Sequence, residues 1–147
     1  MGKRPDRPTI VYTQILKRLF PHKPVLIGGI EASLRRLSHY DYWDDKVRRS
    51  ILIDSQADLL MYGMGENTII EVADALNSGL RAEDLCYIRG TCWKTKALEY
   101  LSDYVLLPSY EEVCADKHTY AKSFHIQHEN IDAIAASVLV EPYDGWY

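Results

Sequence analysis

The sequence predicts an α/β domain built around a mostly parallel sheet, and three observations predict it. Three short apolar runs, at residues 25–27, 59–62 and 103–107, are typical of buried strands. Helix-forming segments separate the runs, which favours right-handed crossovers between parallel strands. The first two runs end in glycines, Gly28-Gly29 and Gly63-Met64-Gly65, where the chain of such a sheet turns into a helix.

Length and composition are those of an ordinary soluble domain. The chain has 147 residues, of which 47% are hydrophobic and 26% charged, so it can bury a sizeable core. Its formal net charge of -4 provides no global positive field for nucleic acid or anionic membrane. No apolar run approaches the roughly 20 residues that span a bilayer. We therefore expect a cytoplasmic protein with reduced thiols and with neither a membrane nor a nucleic acid as its partner.

The domain organisation is expected in three parts. Residues 1–8 are basic and contain prolines, which predicts a flexible lead-in. Residues 9–128 carry the helical and strand patterns of a partial α/β domain. Residues 129–147 are predicted to form a linker and a hairpin, with strand residues 138–140 and a turn at Glu141–Gly145. The first element is a helix with no strand before it, and the last hairpin has almost no return strand. We therefore expect a truncated domain from a longer chain.

Two helical segments are predicted from spacing. Trp43, Val47 and Ile51 lie four residues apart, which suits a short helix. Downstream of the second glycine turn, an amphipathic helix is expected to bury one face. The residues of that face are Ile69, Ile70, Ala73 and Leu76.

Capping signals predict the remaining helices. Ser109 and Glu112 have the spacing of a capping box, which predicts a helix running to about Gln127. Asn130 is expected to cap a further short helix that extends through Ala136.

The two glycine turns form the first candidate site. Glycine at the carboxyl end of a parallel strand permits close backbone approach, and the following helix offers free N–H groups. Open α/β sheets bind ligands at that edge. Neither turn is a GxGxxG fingerprint or a phosphate loop. The alternative is that these glycines serve only to make tight turns.

The second candidate site is residues 31–49. This segment contains four arginines, three aromatic residues, a histidine and four acids. Arginine forks grip carboxylate or phosphate, and aromatic residues favour interfaces and flat ligands. The alternative is a solvated helix face with internally satisfied ion pairs. Together the two sites give a list of ligand or interface residues: Gly28, Gly29, Glu31, Arg35, Arg36, His39, Tyr40, Tyr42, Trp43, Arg48, Arg49, Gly63, Gly65 and Glu66.

No catalytic or metal-binding group is predicted. Cys86, Cys92 and Cys114 do not form a CxxC pair or a cluster-binding pattern. The histidines lack the i, i+4 spacing of a metal pair.

Several segments resemble one family closely. Gly28–Arg36 (GGIEASLRR), His39–Trp43 (HYDYW) and Lys46–Ser50 (KVRRS) are similar to the YgiQ-type radical SAM proteins, as are Arg4–Tyr12 (RPDRPTIVY) and Pro108–Val113 (PSYEEV). The resemblance covers nearly the whole chain. It implies the N-terminal region of such a protein, without the barrel that carries the CxxxCxxC motif.

The resemblance also implies a fold and cofactors. The glycine turns are similar to those of cobalamin-binding-type domains, which implies a three-layer Rossmann- or flavodoxin-like sheet. The parent protein is implied to use a 4Fe–4S cluster and S-adenosylmethionine, with no cofactor in this region. The chain has no DxHxxG pattern, which argues against cobalamin binding.

Three functions remain open from the sequence. The first is an accessory domain that docks on the radical SAM barrel of the same chain or shapes the entrance for a substrate of unknown identity, and that is inactive alone. The second is a free-standing module for a small ligand. The third is a protein-interaction domain.

Overall fold

The computed structural model describes residues 4–132 and 135–147. The chain divides into two compact units. Unit 1 comprises Met1–Leu37 and Arg49–Lys94, and unit 2 comprises Ser38–Arg48 and Thr95–Tyr147. Each unit is therefore built from two stretches of chain.

Helices and strands alternate along the described residues. The helices are α1 (Pro8–Leu19), α2 (Gly29–Leu34), α3 (Ile51–Ser55), α4 (Glu66–Asn77), α5 (Tyr110–Ala115) and α6 (Lys117–Glu129), with a short 3-10 helix at Ala82–Asp84. The strands are β1 (Leu26–Ile27), β2 (His39–Asp41), β3 (Lys46–Arg48), β4 (Leu59–Met61), β5 (Thr91–Cys92), β6 (Val105–Leu106) and β7 (Leu139–Val140). The predicted α/β class is confirmed at this level.

Unit 1 is organised around a mixed sheet of order β1-β4-β5. β1 and β4 are parallel, with Leu26 opposite Leu59 and Ile27 opposite Leu60. β5 pairs antiparallel with the other edge of β4, where Cys92 lies opposite Leu60. The predicted strands at 25–27 and 59–62 are thus neighbours, as a crossover between them requires.

The sheet of unit 1 has a core on each face, because successive strand residues point in opposite directions. Leu60 and Ile27 pack with Ala32 of α2 and with α3. Leu59 packs instead with Val72 and Ala75 of α4 and with Leu85 and Ile88. Burial on both faces explains why these strands read as continuous apolar runs.

Two further interactions fix the amino-terminal end of the unit 1 sheet. Lys17 of α1 forms an ion pair with Asp58, with 2.8 Å between Nζ and Oδ1. The same carboxylate accepts a hydrogen bond from the backbone N–H of Val25 at 2.7 Å. The side chain of Asp58, just before β4, thereby connects the start of β1 to α1.

Unit 2 contains an antiparallel hairpin, β2–β3, and a parallel pair, β6–β7. In the parallel pair, Val105 lies opposite Leu139 and Leu106 opposite Val140. The third predicted strand is therefore a strand with a parallel partner, but it does not extend the β1-β4-β5 sheet. β5 occupies the second edge of β4, and Val105 and Leu106 pair with β7 instead.

The structure corrects the predicted helix through Trp43, Val47 and Ile51. Residues 39–48 form the β2–β3 hairpin, and α3 begins only at Ile51. The Asp-rich stretch after β2 makes a turn, with Asp45 in the left-handed region at φ 49°. Short acidic side chains tolerate that backbone conformation better than a continuing helix.

The predicted helix from Ser109 to Gln127 is also corrected. The capping box of Ser109 and Glu112 is confirmed, but α5 ends at Ala115. Asp116 adopts an extended backbone and caps α6 by accepting a hydrogen bond from the N–H of Thr119 at 2.8 Å. An acidic residue favours the N-cap over the interior of a helix, which explains the break.

Two further corrections concern faces and turns. In α4 the buried residues are Val72 and Ala75, and the predicted Leu76 packs half-buried against the same core, whereas Ile69 and Ile70 are exposed. Val72 and Leu76 lie one turn apart, so the face that meets the sheet is rotated from the predicted one. The predicted hairpin of residues 138–147 does not form, because β7 pairs with β6 instead. A tight turn is found there, with a single antiparallel bridge between Tyr143 and Trp146. The short helix predicted from Asn130 through Ala136 includes residues 133 and 134, which lie outside the described residues.

Candidate functional site

The glycine turns of unit 1 lie at one edge of its sheet. β1 and β4 run parallel and in register, so Gly28-Gly29 and the Gly63–Gly65 turn leave the sheet at the same carboxyl end. Gly29 has a φ of 84° and Gly63 a φ of 72°, where a residue with a Cβ is strained. α2 begins at Gly29 itself, and α4 begins at Glu66, directly after Gly65. The sequence therefore needs glycine at both positions to turn strands into helices.

Ser33 connects the two glycine turns. Its hydroxyl donates to the carbonyl of Gly29 at 2.8 Å and accepts from the N–H of Gly63 at 3.0 Å. Arg36 donates to the Ser33 carbonyl at 2.6 Å, and its guanidinium lies 5.0 Å from the ring centroid of Tyr62. Burial raises the pKa of Tyr62, and Arg36 opposes that shift. α2 is thus fastened to the end of β4.

Three of the other charged residues predicted in unit 1, Glu31, Arg35 and Arg49, form pairs within it. Glu31 accepts a hydrogen bond from the Thr9 hydroxyl at 2.5 Å and lies 3.1 Å from Arg35 Nη1. Arg49 lies 2.8 Å from Asp54, an exposed arginine on a less exposed acid. Glu66 is the first residue of α4. Arg35 and Arg49 are therefore each paired with an acid of the same unit.

The β2–β3 hairpin of unit 2 is held by a buried acid. Asp41 is buried, and its Oδ2 accepts from Arg48 Nε at 2.6 Å, while Oδ1 accepts from the N–H of Trp43 at 3.1 Å. Arg48 also pairs with Asp44. Since His39 lies opposite Arg48 and Asp41 opposite Lys46, the acid and the arginine come from facing strands. The turn is therefore braced on both sides.

The hairpin displays two aromatic rings at its turn. Tyr42 and Trp43 are 68% and 76% exposed, and their ring centroids lie 4.9 Å apart. We call this pair the aromatic tip. Tyr40 donates from its hydroxyl to Asp45 at 2.6 Å, and that hydrogen bond raises the pKa of the phenol. The N–H of Tyr40 donates to the hydroxyl of Tyr120, which ties the hairpin to α6.

The structure therefore distributes the predicted site residues over both units. Those in unit 1 are Gly28, Gly29, Glu31, Arg35, Arg36, Arg49, Gly63, Gly65 and Glu66, and those in unit 2 are His39, Tyr40, Tyr42, Trp43 and Arg48. Within unit 1 the glycines, Glu31, Arg35 and Arg36 meet at the carboxyl edge. Within unit 2 the aromatic residues and Arg48 share one hairpin.

Sequence reasoning missed a buried carboxyl group in unit 2. Glu141 is buried, and its Oε2 accepts from the N–H of Ser38 at 2.8 Å and from the hydroxyl of Tyr143. Its Oε1 has no hydrogen-bond partner among the described residues, and neither has the buried Ser38 hydroxyl. Burial raises the pKa of Glu141, against the opposing effect of the Tyr143 hydrogen bond. The available signal was an acid that directly follows the apolar run Val138–Val140.

Three exposed apolar side chains at the unit 1 edge were also missed. Ile30, Leu34 and Met64 are 81%, 73% and 92% exposed. Ile30 and Leu34 lie one turn apart on α2, and Met64 lies in the turn that Ser33 binds. We call these three residues the edge patch. The signal in the sequence was the i, i+4 spacing of Ile30 and Leu34 after a glycine pair.

The thiols of the described residues do not fit an iron–sulfur cluster. Cys86 and Cys92 are half-buried in unit 1, and Cys114 is exposed in unit 2. Across residues 4–132 and 135–147, no three His, Cys, Asp or Glu side chains are grouped as a metal site. A cluster needs several thiolates close together. In the same part of the chain, no helix has the length and apolarity to cross a membrane.

Comparison with known proteins gives a consistent family result. The family model described as Radical SAM N-terminal matches residues 1–147. A UPF0313 protein of Clostridium perfringens is 51% identical over 148 residues, covering 100% of this chain and 22% of the relative. A UPF0313 protein of Clostridium botulinum is 48% identical over 146 residues, covering 99% of this chain and 23% of the relative. The chain thus spans less than a quarter of the length of these relatives. No solved structure matches it.

Proposed function

This chain belongs to the Radical SAM N-terminal family, and from that premise we propose that it is an accessory region that docks on the barrel of a longer radical SAM protein. In that protein the barrel holds a 4Fe–4S cluster and S-adenosylmethionine, and residues outside 1–147 supply the cluster thiolates. The region is inactive alone, acts in the cytoplasm and shapes the entrance for the substrate. Cobalamin has no part in the proposal, because the sequence lacks the DxHxxG pattern that would supply its ligand.

The aromatic tip is the observation that carries the proposal. Two large rings exposed side by side are unfavourable in water, and monomeric surfaces rarely group them without a partner. Aromatic residues are also enriched where protein interfaces bind most tightly. Asp41 and Arg48 hold the hairpin rigidly, so the rings lose little conformational freedom on docking. The charges around the rings are engaged within the hairpin, which leaves the rings as its free recognition surface.

The unit 1 edge supports the same proposal. It has the parallel strands, the positive-φ glycines and the two-faced core that a Rossmann- or flavodoxin-like domain of the cobalamin-binding type would have. We propose that residues 9–128 descend from such a domain, with residues 1–8 as a lead-in and 129–147 as the connection to the barrel. Its glycine edge then faces the reaction chamber.

The test is carried out in the full-length protein. Tyr42 and Trp43 are replaced together by alanine. After reconstitution, reductive cleavage of S-adenosylmethionine to methionine and 5′-deoxyadenosine is measured with dithionite as the electron donor. We expect the rate to fall by about tenfold or more, because docking positions the barrel. Iron content should stay unchanged, since the cluster thiolates lie outside residues 1–147. The 147-residue chain with the same two changes should keep its melting temperature, since both rings are exposed in it. Tyr87→Ala, another exposed tyrosine, is the matched control and should keep the parental rate.

Two results would contradict the proposal. Parental cleavage by the Tyr42→Ala, Trp43→Ala protein would show that the aromatic tip makes no productive contact with the barrel. Tight, saturable binding of a nucleotide or another small molecule by residues 1–147 alone would favour the ligand-binding module instead.

A further inference from the structure

We propose that the edge patch of Ile30, Leu34 and Met64 is a second docking surface, covered by the part of the full-length polypeptide that lies outside residues 1–147. The inference deepens the proposed function and rests on it, since it names a contact surface on unit 1 that the aromatic tip of unit 2 does not provide. The occupant is a segment of the same chain with an apolar contact surface.

Exposure of the edge patch is the first observation. The three side chains are each more than 70% exposed. They are not frayed ends of the chain: α2 is anchored from its opposite side by Ala32, which is fully buried in the unit 1 core. A helix that buries one face on its own sheet and presents isoleucine and leucine on the other has the pattern of a helix between two packed layers.

Rigidity of the edge patch is the second observation. Ser33 bonds both Gly29 and Gly63, so α2 and the turn that carries Met64 are held to each other. The polar groups of α2 are already engaged, with Glu31 bonded to Thr9 and Arg35. An apolar partner therefore needs to break no existing hydrogen bond in order to cover the patch.

The size of the edge patch selects the occupant. Three side chains offer an area comparable to an ordinary surface patch of roughly 300–600 Å². A stable complex between separate proteins buries about 1,200–2,000 Å². A tethered segment needs far less, because its effective concentration reaches the millimolar range. More than three quarters of the length of the relatives lies outside the matched region, which provides such a segment. A second copy of the chain lacks this advantage.

Oxidative footprinting of the full-length protein tests the inference. The protein is exposed to a brief pulse of hydroxyl radicals, and mass spectrometry measures oxidation of Met64 beside that of Tyr42 and Trp43. A synthetic peptide of residues 62–67 gives the rate for an uncovered Met64. If the patch is docked about 90% of the time, Met64 reacts about tenfold more slowly than in the peptide.

Substitutions on the same surface identify the cause of the protection. Ile30→Ser with Leu34→Ser should return Met64 to within about twofold of the peptide rate, because the docked fraction falls. Ile70→Ser, which alters an exposed isoleucine on α4, is the matched control and should leave Met64 protected. Both proteins should fold, since all three residues are exposed.

Each outcome decides one proposal. Met64 oxidised at the peptide rate overturns the edge patch inference, even if Tyr42 and Trp43 are protected and the proposed function stands. If Met64 is protected while Tyr42 and Trp43 are freely oxidised, the edge patch inference is supported and docking through the aromatic tip is contradicted. Protection that disappears on dilution overturns the inference as well, because it shows that a second copy covers the patch.

Discussion

Removing the carboxyl group of Glu141 should destabilise unit 2 by an amount set by its hydrogen bonds. Glu141→Ala leaves the N–H of Ser38 and the hydroxyl of Tyr143 without their acceptor. A buried donor left unpaired costs about 1–3 kcal/mol, and Tyr143 is only half-buried. We therefore expect a loss of about 2–4 kcal/mol in the free energy of unfolding. Glu141→Gln keeps an acceptor oxygen and should retain most of that stability.

The pH dependence separates the two variants further. Burial raises the pKa of Glu141 in the folded chain, assisted by the nearby charge of Glu111, so the folded state holds the proton more tightly than the unfolded state. Stability is then greatest below the unfolded pKa of about 4.3. It declines as the pH rises from there through the folded pKa, because the ionised carboxylate is buried. Glutamine has no proton to lose, so its variant escapes this decline.

The measurement is urea unfolding of the parent, Glu141→Gln and Glu141→Ala. It is repeated at several pH values from about 4.5 to about 8, which lie above the ordinary pKa of glutamate. As the pH rises, the free energy of unfolding of the parent should fall relative to that of Glu141→Gln. Asp144→Asn, which alters an exposed acid of the same unit, is the control and should change stability by no more than about 0.5 kcal/mol. If the parent and Glu141→Gln keep a constant difference over the range, the carboxyl group is ionised throughout and the reasoning fails.

Three other predictions concern the hairpin, the surface and the thiols. Arg48→Ala should lower the free energy of unfolding by about 2–4 kcal/mol, because it leaves the buried carboxylate of Asp41 without its guanidinium. Arg49→Ala opens an exposed pair and should lower it by only about 0.5 kcal/mol. Equal urea midpoints for the two variants would contradict this. Arg35→Ala and Tyr42→Ala should each change the stability of the 147-residue chain by no more than about 0.5 kcal/mol in thermal melts. A large loss would show that these side chains stabilise the fold and do not form a recognition surface. Anaerobic reconstitution of the same chain with iron and sulfide should leave no cluster absorbance after desalting, and a stoichiometric cluster that survives would refute it.

The unit 1 sheet could be predicted because its strands are buried on both faces. Continuous apolar runs that end in glycine are a local signal, and Leu59 and Leu60 each fill a different core. The pairing of the third run could not be predicted. Val105 and Leu106 pair with β7, while the second edge of β4 is taken by β5, a two-residue strand without an apolar pattern. Strand order is a property of the whole sheet and not of any one run.

The candidate site was predictable in composition but not in arrangement. The density of arginines and aromatic residues in 31–49 singled out the segment, and the exposed aromatic tip lies within it. The helical spacing of Trp43 and Val47 was misleading, because a turn of aspartates separates two short strands. Glu141 escaped notice because its partner, Ser38, lies 103 residues earlier in the sequence. No local pattern reports a hydrogen bond of that separation.

That long separation sets an order of events when the chain is made. Ribosomes add about 5–20 residues per second, so Ser38 waits roughly 5–20 seconds for Glu141 to be synthesised. During that interval the β2–β3 hairpin lacks Tyr120, Glu141 and the rest of its later partners, and an isolated hairpin is marginal in water. Its aromatic rings are then available for wrong contacts. The newborn protein depends on late residues to secure an early hairpin, so a chain stopped before Glu141 should be more prone to aggregation than one stopped after it.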